Sequence, residues 1–186
     1  MLSSKGMTGQ TGAEEFFDVV DERDRVIGRA PRSEVHARNL RHRAVHVLLF
    51  NSRSELFLQK RSASKDTFPR CYDSSASGHL NSGEDYDICA RRELQEELGL
   101  MMPAGQFRKH FKLEACEETG WEFVWVYSLV TDEPPRINLE ELESGEFWTC
   151  DRTRSMLTTQ PQQFARSFVR VFNEFDGSGL CPLPES

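Results

Sequence analysis

Apolar positions recur at two spacings along this chain, and the change from one to the other lays out its elements. Near the amino end, Phe16-Phe17-Asp-Val19-Val20 and Arg25-Val26-Ile27 flank the polar stretch Asp21 to Asp24, which predicts a hairpin. Ser33 is placed to cap a short helix running to about Arg38. Arg43 to Phe50 and Glu55 to Lys60 read as strands joined by the turn-forming Asn51-Ser-Arg-Ser54. Tyr72 to Ser77 adds a short strand. Phe107 to Glu114, Glu122 to Val130 and Glu146 to Cys150 add three more, and the two prolines within Asp132 to Arg136 mark a connector.

Helical spacing takes over twice. Ala90, Leu94 and Leu98 recur every four residues and mark one buried seam of a helix. Phe164, Phe168, Val171, Phe172 and Phe175 predict a carboxy-terminal helix whose phenylalanine stripe is core packing rather than a ligand box. Strands on both sides of one central helix, with another helix at the end, predict an α/β fold with a mixed central sheet between helical layers. One domain is expected over residues 15–175, with a frayed tail at 1–14 and a loose tail at 176–186.

The seam helix also carries the chemistry. At about 100° per residue, Glu93 and Glu97 lie near each other beside the seam and Glu96 lies just beyond Glu93. Three carboxylates on one arc repel one another unless a cation sits among them. A hard divalent ion, Mg²⁺ or Mn²⁺, prefers oxygen ligands and commonly bridges protein carboxylates to phosphates. Arg92 precedes Glu96 by four residues and can brace it, and Gly99 stands where a helix commonly ends. Gly78 and Gly83 bracket a loop that bends sharply and lets backbone approach the ions. Upstream, the loop Lys60 to Pro69 holds a basic cluster in which Arg61 and Lys65 make a plausible phosphate clamp. The competing accounts are a solvated acidic helix face and a solvated basic loop, and the first explains neither the glycines nor Arg92.

Composition narrows the partners. A formal charge of −7 over 186 residues argues against general nucleic-acid affinity, so an anionic substrate must meet a metal or a local basic patch. The five cysteines are odd in number and form no CxxC pair, which suits a reduced cytoplasmic protein better than a disulfide framework or a zinc site. No stretch has the apolar length needed to cross a membrane. A homodimer is allowed for, but nothing in the pattern fixes it.

The stretch from Gly78 to Leu100 reads glycine, five residues, Glu84, seven residues, then Arg92-Glu93-Leu-x-Glu96-Glu97-x-Gly99-Leu100. Every fixed position of the Nudix box is present, and the chain resembles a Nudix hydrolase. The resemblance implies an α/β/α sandwich. It also implies catalysis by Glu93, Glu97 and Arg92, a metal held by Glu93, Glu96, Glu97 and Gly78, and a small-molecule diphosphate substrate. Glu93 is the candidate for deprotonating water, with Glu141 or Glu143 as replacements.

The flanks look like the isopentenyl-diphosphate isomerase branch of that superfamily: Leu40-Arg-His42-Arg-Ala44, Arg61-x-x-x-Lys65, Phe68-Pro69 and Ser77-Gly78-His79. In that branch the Arg and Lys hold a diphosphate, and histidines matching His42 and His79 bind a metal. Two departures stand out. Ser77 replaces the catalytic cysteine, and its hydroxyl is far less acidic than a thiol. Gly120 stands where the isomerases have the first acid of a Glu-x-Glu, leaving Glu122. The isomerases also degrade the Arg-Glu-x-x-Glu-Glu element that is intact here. His36, His46 and His110 carry no motif and read as surface or structural, and Cys71 lies too early to replace the missing cysteine. Phe68, Tyr72, Trp121 and Trp125 are the aromatics able to stack on a base, although Trp125 in a strand is more often core. The expected activity is metal-dependent hydrolysis of a nucleoside diphosphate derivative. A prenyl diphosphate isomerase and a silent nucleotide-binding domain are the alternatives.

Overall fold

The alternating runs become strands β1 (Phe16–Val20), β2 (Val26–Pro31), β3 (His42–Phe50), β4 (Glu55–Arg61), β5 (Tyr72–Asp73), β6 (Ala76–His79), β7 (Arg108–Leu113), β8 (Glu122–Val130) and β9 (Leu142–Thr149). The helices are α1 (Arg32–Ala37), α2 (Tyr86–Leu98), α3 (Cys150–Thr159) and α4 (Arg166–Gly177), all in a computed structural model that describes residues 14–182. Of the expected tails, residues 1–13 and 183–186 lie outside the described residues.

The seven-stranded sheet runs β5-β4-β3-β8-β7, with β6 also on β3 and β9 also on β4. Only the β3–β8 pair is parallel, over all nine residues from His42↔Glu122 to Phe50↔Val130, so the sheet is mixed as the pattern predicts. β3 is covered on both faces, which is why its sequence reads as an almost unbroken apolar run. Ala44, Leu48 and Phe50 point into one core with α3, α4 and the phenylalanine stripe. Val45, Val47 and Leu49 point into the other with Cys89, Ala90, Leu94 and Leu98 of α2. This is an α/β/α sandwich. The β1–β2 hairpin forms a separate small layer, packing Phe17 and Ala30 on Val35 of α1.

Three local expectations are revised. Ser33 does not cap α1: the cap position is Pro31, and the Ser33 hydroxyl instead donates to Glu14 at 2.6 Å. The stretch from Tyr72 splits into β5 and β6, because the chain leaves β4 and crosses to β3 at Ser74-Ser75, whose side chains are buried and hydrogen-bonded. The last strand begins four residues early, at Leu142, and pairs along the whole of β4. α3 was not legible in the sequence, since only Cys150, Thr153 and Leu157 of its ten residues are buried.

Candidate active site

α2 starts where the Asp85 carboxylate accepts the Asp87 N–H, and it ends at Gly99 in the left-handed region (φ 64°). These ends fix which residues face the sheet. Ala90, Leu94 and Leu98 fill the seam without exposure, and beside them Glu93 and Glu97 are also buried. Glu96 lies further round and its side chain is 56% exposed. The predicted arc of carboxylates therefore grades from interior to solvent.

Each buried carboxylate meets β6. Glu97 accepts the Ser77 N–H at 3.0 Å and the Gln59 side-chain amide at 3.2 Å. Glu93 lies against Gly78, where a Cβ would overlap its carboxyl group, so the glycine is required by close approach. Burial pushes the Glu93 carboxyl up to about 7 despite the Arg92 guanidinium beside it, and Glu96 adds to the shift. Burial, and then the Glu93 charge, drive Glu97 well above the ordinary carboxylate range. Two interior carboxylates with too little positive charge are a donor set that fits a hard divalent cation.

Arg92 organises this edge. Its fork donates to both oxygens of Glu84 at 2.8 Å, to Glu93 at 2.7 Å, to Glu96 at 3.0 Å and to the His79 carbonyl at 3.0 Å. The sequence reading foresaw only the Glu96 contact. Glu84, a fixed position of the box with no role assigned from sequence, is the residue that locks the guanidinium.

On the other side of β6 stands a group that sequence reasoning recognised only in part. His36 on α1, His42 at the start of β3 and His79 at the end of β6 bring a ring nitrogen each within 4.8 Å of the others. His36, read from sequence as surface or structural, is half-buried and stands in this group. The only signal for it was its place six residues before His42, and that spacing is not a local motif. The His42 Nδ1–H donates to the Leu40 carbonyl at 2.8 Å, while its buried Nε2 has no hydrogen-bond partner and lies 3.6 Å from the Glu122 carboxylate. The Nε2 of His36 is likewise buried and unpartnered, while that of His79 lies 2.9 Å from Glu122. Burial, with His79 and His42 nearby, pushes His36 down to about 4, and burial also lowers His79 against the pull of Glu122. Burial opposes ionisation of Glu122, but His79 and His42 outweigh it and hold the carboxyl far below its usual range. Three imidazole nitrogens beside one carboxylate are a donor set that suits a borderline transition ion.

Glu93, Glu96 and Glu97 line one open cleft of about 1080 Å³ with His36, His79 and Glu122, while His42 is buried behind them; Arg61, Lys65 and Phe68 line the cleft too. Arg61 donates to Asp73 at 3.2 Å and to the Thr67 carbonyl at 3.1 Å, and Lys65 is ion-paired with Glu141. Glu143 pairs with Lys60 and Arg70 instead. Of the other aromatics, Tyr72 packs on Trp148 and Phe164 in the core and Trp125 lies under the Lys109 ammonium. Trp121 sits beneath Arg41. Phe68 alone of the four lines the cleft. His46 is buried against Ser74, and His110 packs on Phe175.

The profile of the NUDIX domain matches residues 40–170. An uncharacterized Nudix hydrolase of Pseudomonas aeruginosa is 39% identical over 133 residues, covering 72% of this chain and 78% of that protein. An isopentenyl-diphosphate Delta-isomerase of Pectobacterium atrosepticum is 32% identical over 158 residues, covering 83% and 87%. The crystal structure of a Deinococcus radiodurans protein superposes with a TM-score of 0.78 at 30% identity, covering 86% of this chain and 98% of that one. No helix among the described residues is long and apolar enough to cross a membrane.

Proposed function

This chain belongs to the Nudix hydrolase family, and we propose that it is a divalent-metal-dependent pyrophosphohydrolase cleaving the diphosphate of a nucleoside diphosphate derivative. The observation that carries the reading is the buried Glu93–Glu97 pair, whose excess negative charge calls for a cation at the floor of an open cleft. Glu93, Glu97, the more exposed Glu96 and the backbone at Gly78 would hold Mg²⁺ or Mn²⁺. Such an ion supplies charge neutralisation at phosphorus and a more acidic bound water.

The remaining work falls to this chain's own groups. Arg92, fixed by Glu84, keeps Glu93 in one rotamer, and the Ser77 N–H does the same for Glu97. Arg61 and Lys65 would turn to the diphosphate, exchanging Asp73 and Glu141 for phosphate oxygens. That exchange frees the Glu141 carboxylate beside the reacting centre, where it can accept a proton if Glu93 is committed to the ion. A screen of nucleotides and diphosphate conjugates for released phosphate, with Mg²⁺ and with Mn²⁺, tests the reading. Turnover of at least one conjugate is expected, and silence across the panel with both ions would overturn it.

One specific observation favours a second reading. The three imidazoles and Glu122 form a coherent nitrogen-rich site of the kind expected in an isomerase-like chain. Double-bond migration in a prenyl diphosphate also needs proton delivery and removal at carbon from opposite faces. Ser77 offers a hydroxyl at the position where a thiol is expected, and Gly120 offers no acid. The hydrolase is the better supported of the two.

A further inference from the structure

The cleft has a second chamber that the hydrolytic reading leaves without a purpose. Beyond Phe68 a cavity of about 730 Å³ opens between the Arg61–Asp73 loop and α4, lined by Phe164, Val169, Arg166, Arg170 and Glu118 among others. Phe68, Glu118 and Arg166 line both spaces, so the two communicate.

Charge pairing sets this chamber apart. Four of the cations lining the main cleft already have acids: Arg32 pairs with Glu15, Arg61 with Asp73, Lys65 with Glu141 and Arg92 with Glu84. Arg166 is the fifth, and among the described residues it makes no ion pair; the same holds for Arg170, one turn along the same face of α4. Two like charges at i,i+4 repel, and in a chain of net charge −7 carboxylate partners are plentiful. Glu118, the one acid on the wall, bonds to neither. Phe68 forms the threshold, a bulky residue 37% exposed and held at φ 47°. A non-glycine residue of that size in the left-handed region is strained, and such strain concentrates where a ligand is met.

We propose that this chamber is a specificity subsite for a phosphomonoester on the part of the substrate remote from the cleaved diphosphate, held by Arg166 and Arg170 with Phe68 against the intervening ring. The proposal rests on the hydrolytic reading for its geometry, since the diphosphate must lie at Glu93 and Glu97 for the remote end to reach past Phe68. Guanidinium forks suit phosphate oxygens, and a substrate lacking that group would leave the arginines to solvent.

Matched pairs of diphosphates that differ by one phosphomonoester provide the test: ADP-ribose with its 2′-phosphate, and dephospho-coenzyme A with coenzyme A. In at least one pair the phosphorylated member should be favoured in kcat/KM by about tenfold or more. In the double variant Arg166→Gln/Arg170→Gln that preference should collapse towards unity, with the loss falling on the KM of the phosphorylated member. Equal kcat/KM within every pair, or a preference unmoved in the double variant, overturns the subsite. If no conjugate is hydrolysed at all, the hydrolytic reading fails separately, and calorimetric titration with adenosine 3′,5′-bisphosphate then decides. Saturable binding that the double variant weakens about tenfold or more supports the subsite, and binding that is absent or indifferent to the arginines overturns it.

Discussion

The carboxylates of α2 and, among the imidazoles beyond β6, His36 and His79 face one cleft, yet the two groups differ in donor atom, charge and origin. The first group offers oxygens from a single helix, two of them buried and pushed towards protonation. The second offers nitrogens from α1, β3 and β6, of which His36 and His79 are pushed towards deprotonation, beside the ionised Glu122. One set lacks positive charge, and the other holds two buried ring nitrogens, Nε2 of His36 and of His42, without a hydrogen-bond partner. Burial raises Glu93 and Glu97 and lowers His36 and His79 because in each case it disfavours the charged form. β6 thus stands between an oxygen-donor group and a nitrogen-donor group. Ser77 and Gly78 face the former, while His79 belongs to the latter.

The sharpest way to break that division is at Glu97. Glu97→Gln keeps the helix, since glutamine is a comparable helix former, but removes a buried charge from the oxygen side. Turnover should fall by about two orders of magnitude or more, read from initial rates at saturating Mg²⁺. Gly78→Ala comes next. The added methyl would occupy the place of the Glu93 carboxyl, the free end of a flexible side chain, so the carboxylate moves while the fold holds. A loss of about 10- to 100-fold in kcat is expected, with a melting temperature changed by only a few degrees, about the shift of 1 kcal/mol.

On the nitrogen side, His42→Gln should weaken binding of Zn²⁺ by about 10- to 100-fold. It should leave Mg²⁺-supported hydrolysis within about threefold, because a hard ion gains little from imidazole. Calorimetry and the rate assay report the two effects separately. A parallel loss of both would merge the two sides into one site.

The smallest effect is on stability. The raised Glu93 carboxyl makes the folded state the better proton binder between its unfolded value, near the ordinary 4.5, and about 7. Its contribution is therefore fully present below that window and is lost as pH rises through about 7. Glu93→Gln removes this titration. In metal-free buffer the variant should gain on the wild type between about pH 6 and about pH 8.5, by roughly 2–5 °C in Tm. A difference independent of pH would mean that Glu93 is not strained towards protonation.

How much of this was legible in the sequence follows from where each group lies. Glu93, Glu96 and Glu97 share one helix, so a 3.6-residue period alone brings them together. β3 and β8 were legible because a strand covered on both faces must be apolar almost throughout. His36 reaches His42 and His79 only through the packing of α1 against the hairpin, a tertiary event with no local period. The lock of Glu84 on Arg92 reaches eight residues back from within α2 to the loop just before its N-terminus, whose bend the sequence does not specify. Ser33 failed as a cap because α1 begins one residue before it, at Arg32, which puts its hydroxyl inside the first turn.

The most direct test of the central claim is product mass spectrometry after incubation with Mg²⁺ in ¹⁸O-enriched heavy water, with nucleoside diphosphate conjugates and isopentenyl diphosphate supplied together. Hydrolysis on the carboxylate side writes ¹⁸O into a phosphate product, whereas isomerisation writes deuterium onto carbon. The account predicts ¹⁸O in the phosphate from at least one conjugate and no carbon-bound deuterium. Deuterium at an enzymic rate without any ¹⁸O-phosphate would contradict it.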